Sequence, residues 1–438
     1  MFELIQANRR RSWWLMGGML VVLLAVGFIC GFSLFPATDS FVAGGYRFFI
    51  PLGGLIGMGI AFSIWGFQAL LAWTAGDRLL MAAAGAKEIR KEMHPQLFNI
   101  VEEMTLAARL PAMPKVYIIE DMSLNAFAAG KDPENAAVAV TAGLLSTLNR
   151  DQLQGVIAHE IAHIANRDVQ FMTFAGIMLG SIILITEVFH RAIWYSTRAQ
   201  GSMRRYSSRG SKKSDGTAII LLVLLVISFL LAIIAPLLAQ LLYFACSRRR
   251  EYLADAGGAV YTRYPEGLAS ALEVISRNPG DKAKTSRAMA PMYIINPLQA
   301  KRAFNSLMST HPPVEERIKI LRKMGGGTGY QDYARAWGGV SGTSAVEMPA
   351  SAFQASAPPP HTPAAVTPPP LPGQAAALTP QEARAESQQR HRDTGDMLRH
   401  MHHYRFLNCD CGVKAKIPPN YPHSQVKCPR CGKIHKLS

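Results

Sequence analysis

The sequence predicts a mainly α-helical chain with a small β-sheet. About four apolar helices tie it to a membrane, and a small metal-bound unit closes it. Three observations lead there. Four long apolar stretches run Trp13–Phe35, Phe48–Trp73, Phe171–Phe189 and Ala218–Phe244. An H-e-x-x-H sequence, His159-Glu160-Ile161-Ala162-His163, lies in a helical apolar pattern between the second and third. Four cysteines stand together near the C-terminus at metal-ligand spacing.

Composition agrees. Of 438 residues, 49% are hydrophobic and only 17% charged, and the net charge is +16. The basic residues cluster beside apolar stretches, which points to anionic lipid and membrane topology before nucleic acid. Cys30 and Cys246 sit singly in apolar runs, so this is no secreted disulfide framework.

Residues 1–75 read as a membrane anchor with two transmembrane helices. Arg9-Arg10-Arg11 precedes the first apolar run, which matches the ~20 residues that span a bilayer and is too long for a signal peptide. The N-terminus is then cytoplasmic. A short loop, Pro36–Arg47, leads to the second run, which ends near Trp65 and Trp73.

Residues 76–324 read as a soluble domain interrupted by a membrane hairpin at 171–244. Lys87–Ala108 has an amphipathic helix pattern, Val116–Ile119 is a short strand, Asn125–Gly130 is turn-like, and Ala136–Thr141 is a second strand. Ala137, Val138, Ala139 and Val140 in that strand are candidates for pairing with an extended peptide, if they do not merely pack the next helix. In that helix, capped by Asn149 or Asp151, His159 and His163 share a face and can reach one metal. Glu160 stands where it could act as base toward a water at that metal. The loop His190–Gly216 carries seven Lys/Arg and one Asp. If four spans start inside, that loop lies outside, against the positive-inside bias. Either it is translocated, or the third and fourth stretches form a hairpin that does not fully cross.

After the fourth stretch comes Ser247-Arg248-Arg249-Arg250-Glu251-Tyr252-Leu253-Ala254-Asp255. A two-histidine zinc site wants a third protein ligand, and Glu251 is the candidate by chemistry; its alternative is an ion pair with the neighbouring arginines. Asp255, one turn on, could orient a histidine. His311 precedes Pro312-Pro313 and a new helix, on a rigid turn. Residues 325–404, rich in Gly, Ala and Pro, read as a disordered linker. Residues 405–438 carry Cys409, Cys411, Cys428 and Cys431, each pair followed by glycine. This resembles a zinc ribbon, basic in character, with a partner the sequence does not identify.

Residues 1 to about 324 resemble the HtpX-type membrane zinc metalloproteases, relatives of the CaaX prenyl endopeptidase. The residues that carry the likeness are Asn125-Ala126-Phe127-Ala128, the HEIAH at 159–163, SRRREYLAD at 247–255, MYIINP at 292–297 and THPPVEERI at 310–318. The resemblance implies a gluzincin-like site. His159, His163 and Glu251 would bind catalytic zinc, Glu160 would be the base, and Asp255 would support a ligand. His311 and Arg317 would stabilise the oxyanion. It also implies cleavage of membrane or misfolded proteins at the cytoplasmic side of the bacterial inner membrane, with a second, structural zinc in the added ribbon. The rival readings are a membrane-anchored adaptor working through the ribbon, and a nucleic-acid tether.

Overall fold

The computed structural model describes residues 51–178, 248–278, 294, 312–342 and 379–437, together with scattered positions between 6 and 50. Its core is a four-stranded sheet with helices on both faces. The strands are β3 (Ala86–Glu88), β4 (Lys115–Ile119), β5 (Ala126–Gly130) and β6 (Ala136–Thr141), in the spatial order β3-β4-β6-β5. β4 and β6 run parallel; the other neighbours are antiparallel. β6 is thus an interior strand and cannot accept a peptide by edge pairing, contrary to the expectation for Ala137–Val140. The edges are β3 and β5, and β5 is the one next to β6; its sequence reads as a turn because it is short and rich in small residues. Those small residues are what the position requires, since β5 is buried along its whole length.

Strand alternation divides the sheet into two buried faces. Val116, Ile118, Ala126, Ala128, Val138 and Val140 join the main core. Tyr117, Ile119, Phe127, Ala129, Ala137 and Ala139 face the other way, onto Leu80 and Met81. Those two residues end α1 (Leu52–Ala83), a helix of 32 residues. At 1.5 Å per residue it is roughly 48 Å long, well beyond the ~30 Å hydrocarbon core of a bilayer. It breaks at Ala75, where φ is −138° and ψ is 17°. Before the break it exposes Ile56, Ile60, Phe67, Leu70 and Trp73; after it, Gly76 is buried next to Thr173, and Leu80 and Met81 are buried under the sheet. Among the described residues it is the one helix long and apolar enough to cross a membrane. The described residues between 13 and 31 are also helical, and Gly27 and Gly31 cross Gly57 so closely that a Cβ at Gly31 would lie 2.8 Å from the Gly57 Cα. Small residues permit such crossings in membranes. The expected loop Pro36–Arg47 is largely a hairpin of β1 (Thr38–Ala43) and β2 (Tyr46–Pro51).

The amphipathic pattern from Lys87 yields a helix only from Pro95, as α2 (Pro95–Ala107). Proline disfavours helix in the residue before it and suits the first turn, and His94 caps that turn by accepting from the Leu97 N–H at 3.2 Å. Next come α3 (Ala142–Thr147) and α4 (Arg150–Ala165). Asn149 opens α4 with a capping box, its side chain and that of Gln152 each taking the other's backbone N–H. A further helix, α5, occupies 168–178, covering the start of the third apolar stretch; the rest of that stretch and all of the fourth lie outside the described residues. Then follow α6 (Arg248–Thr262), α7 (Pro265–Arg277) and α8 (Val314–Lys323).

Two parts of the expected linker are helical: α9 (Tyr330–Ser341) and α10 (Pro380–Met401). Their apolar positions are sparse but share a face. Tyr330, Tyr333 and Ala336 from α9, and Met397 from α10, enter the main core. Composition averaged over the region hides so thin a stripe. After α10 come two hairpins, β7 (Arg405–Asn408) with β8 (Lys414–Ile417), and β9 (Gln425–Lys427) with β10 (Ile434–Lys436).

Helices α4, α6 and α7 meet through glycines. A Cβ at Gly155 would lie 2.5 Å from the Leu268 backbone nitrogen, and one at Gly257 would lie 2.8 Å from the Ala162 Cβ. At Gly155 the obstacle is main chain, which cannot rotate away. Gly155→Val is therefore expected to destabilise by about 1–3 kcal/mol from overpacking, outweighing the helix-propensity gain of a few tenths of a kcal/mol over glycine. A melting temperature in detergent unchanged from wild type would refute this.

Candidate active site

His159, Glu160 and His163 come from α4, Glu251 and Asp255 from α6, and Arg317 from α8. All but His163 are buried, and it is nearly so. The two histidine Nε2 atoms stand 3.2 Å apart. Glu251 closes the group, its carboxylate oxygens 3.7 Å from His159 Nε2 and 3.6 Å from His163 Nε2. One ligand atom from each of the three lies within 4.8 Å of the others.

The outer ring nitrogens are also engaged. His159 Nδ1 lies 3.0 Å from Asp255 Oδ1, at an angle skewed from an ideal hydrogen bond. His163 Nδ1 lies 3.1 Å from Asp168 Oδ2. Arg317 holds Asp255 in a two-pronged bond, Nε to Oδ2 at 2.8 Å and Nη2 to Oδ1 at 2.7 Å. Its Nη1 donates to the Ile294 carbonyl at 3.2 Å and lies 3.7 Å from Glu251. Tyr252 donates to Glu316 at 2.8 Å, tying α6 to α8.

The charges follow from burial and neighbours. Burial, with the charges of His163 and Arg317, pushes His159 down to about 4 despite the Asp255 contact. Burial works against charge on His163 too, but the Asp168 bond and the carboxylates of Glu251, Asp168 and Glu160 prevail and lift it to about 9. One imidazolium thus faces one neutral ring across 3.2 Å. Burial, aided by Glu251, pushes Glu160 up to about 7, against the pull of His163, the Ala128 N–H and Arg317. A dication beside it would pull it back down. Burial disfavours the Asp255 carboxylate, yet Arg317 holds it well below the usual range.

The residues present fit zinc. Two bonds of ~2.05 Å at a tetrahedral angle put their nitrogens roughly 3.3 Å apart, close to the observed separation. Two imidazoles and a carboxylate are a zinc donor set that leaves one position open.

Of the residues singled out from sequence, His159, Glu160, His163, Glu251, Asp255 and Arg317 converge here. Arg317, expected beside the scissile carbonyl, is instead fully buried and turned onto Asp255. His311 lies outside the described residues. Asp168 was missed: it ends the HEIAH stretch, five residues past His163, and no helical spacing links those positions.

A second cluster closes the chain. Cys409 Sγ lies 3.4 Å from Cys431 Sγ, Cys411 Sγ lies 3.5 Å from Cys428 Sγ, and all four sulfurs fall within 4.8 Å of one another. The short C-x-C knuckle closes by the Gly412 N–H donating to the Cys409 carbonyl; the longer one closes by Gly432 donating to Cys428. Gly412 (φ 84°) and Gly432 (φ 75°) take left-handed conformations that favour glycine. The one-residue difference is absorbed in the turn, and the ribbon geometry is preserved.

An H-e-x-x-H helix with a carboxylate ligand from a following helix defines the zinc-dependent peptidases of the two-histidine, one-glutamate kind. The profile of Peptidase family M48 matches residues 91–325. The chain belongs to that family and is a membrane metalloprotease. It is 43% identical over 324 residues to the Protease HtpX homolog of Dictyoglomus turgidum, covering 74% of this chain and 95% of that protein. It is 39% identical over 324 residues to the Protease HtpX homolog of Streptococcus uberis, covering 74% of this chain and 100% of that protein. A crystal structure of Ste24p from S. mikatae superposes at a TM-score of 0.34 and 18% identity, over 73% of this chain and 67% of that one, too loosely to carry an argument.

Zinc at the histidines must displace the proton that His163 holds. Its affinity is expected to fall as pH falls, by about tenfold per unit while one proton is exchanged. Chelator competition between pH 6 and 8 in detergent checks this; a flat profile would contradict the assignment of His163 as proton carrier.

Proposed function

We propose that this chain is a zinc endopeptidase that cleaves membrane-associated or misfolded polypeptides at the cytoplasmic face of the bacterial inner membrane, in membrane-protein quality control. The observation that carries this reading is the juxtaposition of Glu160 with the His159, His163 and Glu251 donor set in one buried cluster, beside the edge strand β5. His159, His163 and Glu251 would hold the zinc. A zinc bound there would supply a Lewis acid for the scissile carbonyl and would lower the pKa of the attacking water toward ~7. Glu160 takes the proton of that water and passes it to the leaving amine. The nearby Ala128 N–H favours its charged form, which puts the base beside β5.

The extended substrate pairs with β5 rather than β6. β5 is antiparallel to β6 on one side, and its other side is turned toward α4 and Glu160. Its ends are held: the Ala126 carbonyl accepts from the Ile294 N–H at 3.2 Å, and the Gly130 N–H donates to Thr173 at 2.9 Å. Arg317 acts through Asp255, keeping His159 in place, and His311 supplies the hydrogen bond to the oxyanion. Four apolar stretches make the protein multi-pass. α1 supports this with its exposed apolar surface and its buried lower end under the sheet. The cysteine cluster holds a second, structural zinc. The adaptor alternative is disfavoured because a purely structural metal site has no use for Glu160.

Glu160→Gln is expected to keep its zinc and lose cleavage of an unfolded membrane-associated substrate by roughly 10²–10⁴-fold. A variant that cuts at the wild-type rate would remove Glu160 from the mechanism. Cys428→Ser/Cys431→Ser is expected to lower the zinc content from about two per chain to about one; metal analysis of detergent-purified protein decides, and an unchanged content would refute the second site.

A further inference from the structure

The joint that follows the HEIAH helix has a geometry which the reading above does not use. α4 ends at Ala165; Asn166 caps it and is buried. Arg167 then takes a left-handed conformation, φ 58°, which a non-glycine side chain rarely adopts. Asp168 opens α5 immediately afterwards. This reversal turns the Asp168 carboxylate back onto the helix just left, 3.1 Å from His163 Nδ1, and leaves it 1% exposed. A strained residue persists where its surroundings over-determine it. Here α5 is pinned on three sides. Thr173 accepts from the Gly130 N–H of β5 at 2.9 Å. The Phe171 ring lies 4.3 Å beneath the Arg250 guanidinium, next in sequence to Glu251. Phe174 stacks on Trp73 of α1, ring centres 6.2 Å apart.

We propose that Asp168 is a positioning residue for the second zinc ligand. It accepts from His163 Nδ1–H, selects the tautomer that leaves Nε2 to the metal, and fixes the ring plane. Asp255, itself clamped by Arg317, lies 3.0 Å from His159 Nδ1. The two imidazoles therefore have separate supports, one from α6 and α8 and one from the start of the third apolar stretch. The inference rests on the zinc reading above. The obvious alternative is that Asp168 merely caps α5 at its N-terminus, where a carboxylate is favourable without any role at the metal.

The test uses the full chain in detergent, wild type, Asp168→Asn and Asp168→Leu. Asparagine keeps an acceptor and the shape; leucine keeps the bulk and removes the acceptor. Zinc affinity by chelator competition is expected to fall about 10–100-fold in Asp168→Leu, the usual cost of losing a ligand's hydrogen-bond partner, and to be largely restored in Asp168→Asn. Equal affinity in wild type and Asp168→Leu, or equal weakness in both variants, would overturn the proposal. If Asp168→Leu does not fold, the wild type and Asp168→Asn decide. In zinc-loaded protein with ¹⁵N-labelled histidine, His163 is expected to show a protected Nδ1–H whose shift moves in Asp168→Asn. Lack of that signal, or its indifference to the substitution, refutes the proposal. Wild type that takes up no zinc at its histidines would instead bring down the underlying reading, so the two failures are distinct.

Discussion

The close approach of α4 and α6 is the constraint on which the site depends. Glu251 and Asp255 lie one turn apart on α6, and both must reach imidazoles on α4. Side chains of that length span the gap only if the helix backbones nearly touch. Gly257 and Gly258 make this possible: a Cβ at Gly258 would lie 3.3 Å from the His159 backbone nitrogen. Gly155 does the same on the other flank of α4, against α7. The candidate metal site is therefore a product of small-residue helix packing as much as of its donor residues, and it is surrounded by buried bonds from Arg317 to Asp255 and from Asp168 to His163.

The sheet joins the candidate site to the apolar helix α1. One of its faces backs α4, and the other rests on the end of α1. α5 adds a second route, contacting β5, Arg250 and α1 within a few residues of Asp168. The candidate site and the apolar helix α1 thus share structural elements instead of being joined by a loop.

The C-terminal unit is also more integrated than its composition suggests. Met397 of α10 is part of the main core. Asp396 pairs with Lys414 at 3.0 Å and with Lys416 at 2.6 Å, and His400 stacks on Phe406 with ring centres 4.1 Å apart. His402 bonds Glu120 at 2.8 Å, on the loop that leads to β5. Exposed ion pairs such as these contribute little energy singly, but with Met397 they give the cysteine cluster a defined seat on the protease.

Local sequence was enough for the features that repeat at short range. The HEIAH helix and its Asn149 cap, the strand Ala136–Thr141 and the two cysteine knuckles are all set by residues within a turn or two of each other. That Glu251 and Asp255 could meet the histidines was legible from chemistry and i,i+4 spacing, although about ninety residues separate them from His163. Three things needed the tertiary structure. Which strand is the edge depends on the order β3-β4-β6-β5, a non-local pairing that exchanged β6 for β5. The place of Arg317 depends on how α8 docks, which turned it from the substrate side onto Asp255. Asp168 reaches His163 only because the chain reverses at Arg167, and a backbone reversal has no periodic signature in sequence. Periodicity reports which face of an element is buried; it does not report what that face meets, because the partner is chosen by packing across distant parts of the chain.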